Sequence, residues 1–245
     1  LYNIRLIKNF DFIIPIIPEI NHDLLKYVKF LENNDMKIIM SDSKTVKKCS
    51  DKFIFYKYFN KNNLPVIKTF NTTKFHKYYN KYIIKDRFGA GCSYVKIVDK
   101  KDIEKYFDKN KVIQPFIKAE NYSISVFFSK NSFRFLTLNK QGLTSNMNMI
   151  KMRSLTINSK NNYYLKILTL INDIKRIMPG LIGFVGIDIL INNNKIYIVE
   201  INPRLTTSYV GLYETIGCNM IDLLINHKYI KNVISSRKYN LLNYE

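Results

Sequence analysis

The stretch GFVGIDILINNNKIYIVEIN, residues 183–202, constrains the fold of this chain more than any other. Two apolar segments flank three asparagines, a pattern that predicts two antiparallel strands joined by a short turn. Each segment also contains a carboxylate, Asp188 in the first and Glu200 in the second. Burying such a charge costs free energy unless it is paired, so acidic residues inside apolar strands are informative. The hairpin therefore predicts a sheet that carries a functional site.

The length of the turn decides which side chains share a face of the sheet. If residues 192–194 form a three-residue turn, Asp188 lies opposite Ile198. Because side chains alternate along a strand, Asp188, Glu200 and Asn202 then lie on one face, with the carboxylates diagonal at about 7–8 Å. A two-residue turn would place Glu200 on the opposite face and remove this arrangement.

Two carboxylates and an amide oxygen at this spacing can bind a hard divalent cation, Mg²⁺ (or Mn²⁺). Mg²⁺ typically takes one or two protein carboxylates and leaves its other positions to phosphate and water. The alternative is that Asp188 and Glu200 are ordinary surface or ion-paired residues. Both readings remain open from the residues alone.

A second group of residues has the character of a phosphate site. Lys85 ends the apolar segment YIIKD and is followed by the loop RFGAGCSY, residues 87–94. Gly89 and Gly91 allow backbone amides to approach phosphate oxygens, and the lysine adds a positive charge. The chain contains neither a Walker loop nor a G-x-G-x-x-G fingerprint.

Composition limits the class of protein. The chain has 245 residues and is 47% hydrophobic, enough for one elaborate domain or two modest ones. It shows no apolar run of membrane-spanning length and no signal-peptide pattern at its start. Three widely spaced cysteines without a C-x-x-C pair favour a reducing, cytoplasmic setting. The first residue is Leu, so we expect that the natural N-terminus is missing.

The formal net charge of +20 is compatible with a nucleic-acid partner. However, Lys is spread along the chain and accompanied by abundant Asn and Ile, which indicates a compositional bias instead. We expect no nucleic acid and no membrane as partner, with RNA binding kept as an alternative.

The front of the chain alternates between strand and helix patterns. Residues 10–20 and 37–40 read as strands around a helix at 22–34, the rhythm of a parallel sheet. Helix-start residues follow at Ser43 and Ser50. The next predicted elements are strands at 81–86, 95–99, 111–117, 122–129 and 132–139, a helix at 163–178, the hairpin and a helix at 220–227.

Taken in order, these segments resemble the ATP-grasp superfamily of carboxylate–amine ligases, over residues 10–226. The combination of GID with VEINPR is the most specific part of the resemblance. It implies an α/β (α+β) ATP-grasp fold preceded by a partial, truncated pre-ATP-grasp parallel βα domain. The implied domains are residues 1–45 and 46–245, with a lid subdomain at about 66–118 and a catalytic subdomain at about 119–235.

Within the superfamily, IIPE and EINPRLTTSYVGL look most like the archaeal tyramine–glutamate ligases of methanofuran biosynthesis. This implies small-molecule partners, the γ-carboxyl group of glutamate and the amine of tyramine. Dimers are frequent among such relatives, so a homodimer is one expected assembly.

The resemblance also implies a role for each matching residue. Lys52 and Lys85 contact the ATP phosphates, and the loop with Gly89 and Gly91 closes over them. The adenine lies against the hinge strand, at Gln114, Phe116 and Ile117. The ribose contact is Glu120 or Asn121, because the usual glycine of this motif is absent and both remain open. Asp188, Glu200 and Asn202 are the metal ligands.

Two catalytic roles complete the implied site. Arg204 lies over the transferred phosphoryl group, and Lys140 reaches the γ-phosphate from its strand end, although a solvated lysine is an equal alternative. Glu19 either lines the substrate pocket or begins a helix, and we favour the helix start. Residues 205–211 are a candidate for binding carboxylate or phosphate.

The implied reaction has two steps. A substrate carboxylate attacks the γ-phosphorus of ATP to give an acyl phosphate and ADP, and an amine then displaces phosphate to form an amide. Charge neutralisation and positioning suffice for such a transfer, so no protein nucleophile is needed. The alternatives are a ligase for another acid–amine pair and a nucleotide-binding module without turnover.

Overall fold

The structure is a computed structural model that describes residues 9–160, 162–217, 219–226 and 237–242. Within these residues nine strands form one curled antiparallel sheet. The strands are β1 Lys81–Asp86, β2 Val95–Asp99, β3 Lys111–Pro115, β4 Glu120–Phe128, β5 Phe133–Asn146, β6 Met149–Ile157, β7 Gly183–Asn192, β8 Lys195–Asn202 and β9 Tyr239–Leu242. Their order is β3-β1-β2-β6-β5-β4-β7-β8, with β9 paired to β6.

Seven α-helices accompany the sheet in the described part of the chain. They are α1 Asp23–Glu32, α2 Ser43–Ser50, α3 Lys52–Lys61, α4 Ile103–Tyr106, α5 Tyr164–Ile177, α6 Leu212–Ile216 and α7 Met220–Asn226. Short 3₁₀ helices occur at Ile20–His22 and Thr207–Gly211. Among the described residues, no helix is long and apolar enough to cross a membrane. The last residue of the predicted C-terminal helix, His227, lies outside the described residues.

The front of the chain keeps the predicted parallel relation in a reduced form. The segments 10–20 and 37–40 meet in one parallel bridge, between Ile13 and Ile38, with α1 between them. The two prolines of the first segment lack the N–H group that a longer ladder requires. The predicted domain boundaries themselves stay a prediction.

Aspartates cap the two helices that follow, the first of which starts at the predicted Ser43. Asp42 caps α2, which starts at Ser43, and Asp51 caps α3, which starts at Lys52. The Asp51 side chain accepts hydrogen bonds from two backbone N–H groups of the first turn of α3, satisfying donors that have no helical partner. This cap fixes the position at which the Lys52 side chain leaves the helix.

The strands β4, β5 and β7 have two faces of opposite character. We call one the helix face, because it packs against Ile167 and Ile171 of α5. Its members are Tyr122, Ile124, Leu138, Ile187 and Ile189. Burial of an Ile or Leu side chain contributes about 1.5–3 kcal/mol, so this face supplies much of the core. The other we call the cavity face, and its members include Asn121, Ser123, Gln141, Asp188 and Leu190.

The strand β6 is absent from the sequence prediction, and β5 extends well beyond residue 139. A β-bulge at Gly142 and a turn in which Met147 and Asn148 both have positive φ interrupt the alternation that predicts strands. Lys96 of β2 pairs with Met149 of β6, which joins the small β1–β3 unit to the larger sheet. The sheet consequently curls around a cavity.

Candidate active site

The hairpin β7–β8 brings the two carboxylates together by a route different from the predicted one. The prediction of a three-residue turn is wrong: Asn192 pairs with Lys195, and the turn consists of Asn193 and Asn194, both with positive φ. This is the two-residue turn that asparagine favours, since its side chain tolerates the left-handed region.

A β-bulge then restores the arrangement that the turn would have removed. Ile189 pairs with Ile198, but Asp188 pairs with Glu200, which leaves Val199 as an extra residue in β8. A bulge of one residue reverses the alternation of side chains beyond it. Asp188 and Glu200 are therefore direct cross-strand neighbours on the cavity face, with Asn202 following opposite Gly186.

The carboxylate pair is held by amides and lysines. Asp188 accepts hydrogen bonds from Gln141 Nε2 (3.0 Å) and from Asn202 Nδ2 (3.1 Å). Glu200 Oε2 lies 3.4 Å from Lys52 Nζ. Lys85 is buried beside the same group. The structure thus brings together the predicted metal ligands and both predicted phosphate lysines.

The electrostatics of this cluster favour a bound cation and a bound anion. Burial, followed by the charge of Glu200, raises the pKa of Asp188 to about 7. Burial would also raise the pKa of Glu200, but the charges of Lys52 and Lys85 outweigh it and lower the value. Burial lowers the pKa of Lys85 to about 8. The two carboxylates therefore lie close together in a low-dielectric environment, as do the two lysines. A bound cation would offset the repulsion between the carboxylates, and a bound anion would offset that between the lysines.

The donor set fits a hard divalent cation. Asn202 and Gln141 donate through nitrogen to Asp188, which leaves the amide oxygen of Asn202 available to a metal. Among the described residues, no group of three or more His, Cys, Asp and Glu side chains could hold a metal ion. Mg²⁺ does not require one, because it takes one or two carboxylates and completes its coordination with phosphate and water.

The glycine loop lies against Lys52. The Lys52 ammonium donates a hydrogen bond to the carbonyl oxygen of Gly89. A Cβ atom at Gly89 would come within 2.8 Å of the Asp86 Cβ, and Gly91 has a φ of +62°, so both positions require glycine. Cys92 lies in this loop, and burial raises the pKa of its thiol to about 11, which indicates an unreactive filler.

A cavity of about 340 Å³ lies between this loop and the sheet, within the usual range for small-molecule sites. Its walls include the predicted adenine residues, namely Gln114, Phe116 and Ile117, and also Lys52, Lys85, Gly89, Gly91, Asn121, Gln141, Asp188 and Glu200.

The Gln114 side chain has a fixed orientation at this cavity. Its Nε2 donates to Thr69 Oγ1 at 2.8 Å, and the Thr69 hydroxyl donates to the Ile67 carbonyl oxygen at 2.9 Å. Both Gln114 and Thr69 are buried. The carbonyl oxygen of Gln114 takes part in neither of these bonds and is available to a ligand in the cavity.

Two predicted site residues lie elsewhere. Glu120 and Lys140 fall on the helix face, one position out of phase with Asn121 and Gln141, and bind each other at 2.8 Å in an exposed ion pair. Because side chains alternate along a strand, neither residue reaches the cavity. The geometry thus favours Asn121 over Glu120 for the ribose and corrects the expectation that Lys140 reaches the γ-phosphate.

The Arg204 side chain lies beyond the end of β8 and binds Glu19. Glu19 is the N-cap residue of the 3₁₀ helix Ile20–His22, as the favoured expectation has it. Its side chain makes no capping hydrogen bond, however, and its carboxylate is buried in this ion pair.

Sequence reasoning missed two residues of this site. Gln141 and Thr69 carry no motif signal, although Gln141 is the next residue after a named candidate. Gly186 belongs to the GID motif, and packing explains it: a Cβ atom there would come within 2.6 Å of Thr206 Cγ2. Thr206 is the second residue of the segment 205–211, and its hydroxyl oxygen lies 3.1 Å from Ser208 Oγ.

Comparison with known proteins gives the class. The ATP-grasp domain family matches residues 49–208. The tyramine–L-glutamate ligase of Methanocaldococcus jannaschii is 29% identical over 240 residues, covering 96% of this chain and 69% of that protein. The tyramine–L-glutamate ligase of Methanocaldococcus fervens is 30% identical over 208 residues, covering 84% of this chain and 62% of that protein.

The fold agrees with this assignment. The N5-carboxyaminoimidazole synthetase of Staphylococcus aureus, solved with ADP, superimposes with a TM-score of 0.76 at 17% identity, covering 98% of this chain and 67% of that one. The chain belongs to the ATP-grasp family. The predicted family and its resemblance to tyramine–glutamate ligases are confirmed, and the domain indicates an ATP-binding ligase that forms carbon–nitrogen bonds.

Proposed function

We propose that this chain joins a carboxylate to an amine at the expense of ATP, releasing ADP and phosphate. The observation that carries the proposal is the half-buried set of Asp188, Glu200 and Asn202 next to Lys52 and Lys85, at one end of a cavity of nucleotide size. This chain spans 69% and 62% of the lengths of the two tyramine–L-glutamate ligases that it matches.

The nucleotide site divides into two ends. Phe116, Ile117 and the Gln114 carbonyl offer apolar contact and an acceptor for a purine base, and Asn121 lies where the ribose would follow. Lys52 and Lys85 supply positive charge at the opposite end, beside the glycine loop. Asp188, Glu200 and the Asn202 oxygen would hold Mg²⁺ or Mn²⁺, which when bound would supply positive charge to neutralise the phosphates.

The chain's own residues then act by charge and position. The oxygen of the acid substrate bonds to the γ-phosphorus as the bond to the ADP oxygen breaks, giving an acyl phosphate. Lys52, Lys85 and Arg204 stabilise the charge that this step concentrates on the phosphoryl group. The amine nitrogen then bonds to the acyl carbon, phosphate leaves, and the ammonium proton passes to solvent or phosphate.

The substrates proposed are L-glutamate, through its γ-carboxyl group, and tyramine. The support is the name of the two relatives, which match most of this chain. A different amino-acid or peptide pair is the runner-up, since about 30% identity leaves room for a changed substrate pocket.

The test measures ADP release from Mg-ATP with glutamate, with and without tyramine, and detects the amide product by mass spectrometry. We expect turnover that needs both substrates and disappears in Glu200→Ala. Turnover only with other pairs would discard tyramine and keep the ligase. Nucleotide binding without turnover for any pair would favour a non-catalytic module.

A further inference from the structure

The ion pair between Arg204 and Glu19 joins residues that are 185 positions apart in the sequence. Arg204 Nε lies 3.0 and 3.1 Å from the two Glu19 oxygens, and Nη2 lies 2.8 Å from Oε2. Nη1 donates to the Leu205 carbonyl oxygen at 3.0 Å. A guanidinium has five N–H groups, so one on each terminal nitrogen remains for a ligand.

Burial makes this pairing decisive for the conformation of Arg204. The side chains of Glu19 and Arg204 are only 5% and 13% exposed. Without the Glu19 carboxylate, the guanidinium group of Arg204 would lose the partner that compensates its charge in this buried position. A long side chain has many rotamers, so Arg204 would then adopt a different one. Glu19 therefore selects the conformation that Arg204 adopts.

The segment that carries Glu19 also contacts the glycine loop. The His22 ring lies 4.1 Å from the Phe88 ring, and the Asn21 N–H donates to the Phe88 carbonyl oxygen at 3.4 Å. Asn21 and His22 both have positive φ, a conformation that needs support from surrounding contacts. Glu19, Lys52 and Glu200 further line one small void.

We propose that Glu19 is a positioning residue: it holds Arg204 so that the two remaining N–H groups face the terminal phosphoryl group of the nucleotide. The inference rests on the proposed function for the location of that phosphoryl group, but not on the identity of the acid and the amine. Two parallel donors match a phosphate bidentately, which a mobile arginine does not offer.

The test uses calorimetry to compare the dissociation constants of this protein for Mg-ADP and Mg-AMP-PNP, which differ by the terminal phosphoryl group. The wild type should prefer AMP-PNP. Glu19→Gln, which keeps the shape and removes the charge, should lower this preference by about tenfold, the low end for a lost charged hydrogen bond. Binding of ADP should change by less than about twofold in the same variant, since no N–H group of Arg204 is assigned to it.

Further variants separate positioning from support of the fold. Glu19→Asp, which keeps the charge but is shorter, should retain part of the preference. In an Arg204→Ala background, Glu19→Gln should have no further effect, because Glu19 acts through Arg204. Glu104→Gln, at an exposed ion pair with Lys77, is the matched control and should leave both constants unchanged.

Three results would overturn the proposal. They are a wild type without preference for AMP-PNP, parallel losses for both nucleotides in Glu19→Gln, and an effect of Glu19→Gln that persists without Arg204. These binding constants do not depend on turnover, so a failure of the ligase proposal is seen separately.

Discussion

The two faces of strands β4, β5 and β7 both carry polar side chains, which border a cavity on one face and form an exposed ion pair on the other. On the cavity face, Gln141 and Asn121 border a half-buried cluster around Asp188. One residue away, Glu120 and Lys140 form an ion pair in which about half of each side chain is exposed. The difference follows from the two-residue period of a strand, not from the chemistry of the side chains.

The comparison also separates structural from functional charge. An exposed ion pair of this kind contributes only about 0–1 kcal/mol, and its loss is tolerated. The cluster of Asp188, Glu200 and Lys85 keeps like and unlike charges buried together, which shifts the pKa values of all three. Such an arrangement costs stability and is typical of a binding site.

The largest expected effect contrasts one carboxylate from each face. Glu200→Gln should lower kcat by about 10²–10³-fold, because one charge directed at the reacting group is removed from a buried site. Glu120→Gln, the matched change on the helix face, should stay within about twofold. The measurement is the rate of ADP release at saturating substrates, after thermal unfolding has shown both variants to be folded. Equal losses in the two variants would break the comparison.

A smaller change is expected in the affinity for Mg-ADP when the pH is varied. Its direction follows from the pKa values of two groups on the cavity face. Asp188 has its pKa raised to about 7, so below pH 7 a metal must displace its proton and binding weakens as pH falls. Lys85 has its pKa lowered to about 8, so above pH 8 it loses the charge that phosphate needs and binding weakens as pH rises.

The affinity for Mg-ADP should therefore be highest between about pH 7 and pH 8, and it should fall by up to about tenfold per unit on either side. Titration calorimetry from pH 6 to pH 9.5 measures it. Asp188→Asn should flatten the acidic side, and Lys85→Arg should flatten the alkaline side. A profile without a maximum, or with both sides unchanged in these variants, would contradict the assigned groups.

The hairpin shows how far sequence reasoning reaches. The apolar alternation predicts β7 and β8 correctly, and the expectation that Asp188 and Glu200 share a face is also correct. The stated reason, a three-residue turn, is wrong, and the bulge at Val199 produces the same result. Local patterns predict strands, whereas a bulge depends on the tertiary environment of one residue.

Other parts of the site could not be predicted because their partners are distant in sequence. Glu19 meets Arg204 only after the front segment has packed against the end of β8, and Thr69 meets Gln114 across the small β1–β3 unit. The family resemblance supplied roles by motif but left Glu120 and Asn121 both open for the ribose. Strand alternation keeps Glu120 away from the cavity, and it keeps Lys140 away as well.

The smallest expected effect concerns the choice of base at the cavity. Thr69 holds the Gln114 amide so that its carbonyl oxygen is presented to the ligand, which suits the amino group of adenine and not the carbonyl of hypoxanthine. Thr69→Val removes the hydroxyl and lets the amide turn. The preference for ATP over inosine triphosphate should then fall by about fivefold, the value of one neutral hydrogen bond.

Competition binding of the two triphosphates measures this preference. Thr72→Val, an exposed threonine three residues away, is the matched control and should leave the preference unchanged. Gln114→Glu, which can only accept at neutral pH, should preserve the preference even together with Thr69→Val. If Thr69→Val weakens both nucleotides equally, Thr69 supports the cavity wall and does not orient Gln114. The base would then be selected by the backbone and apolar walls alone.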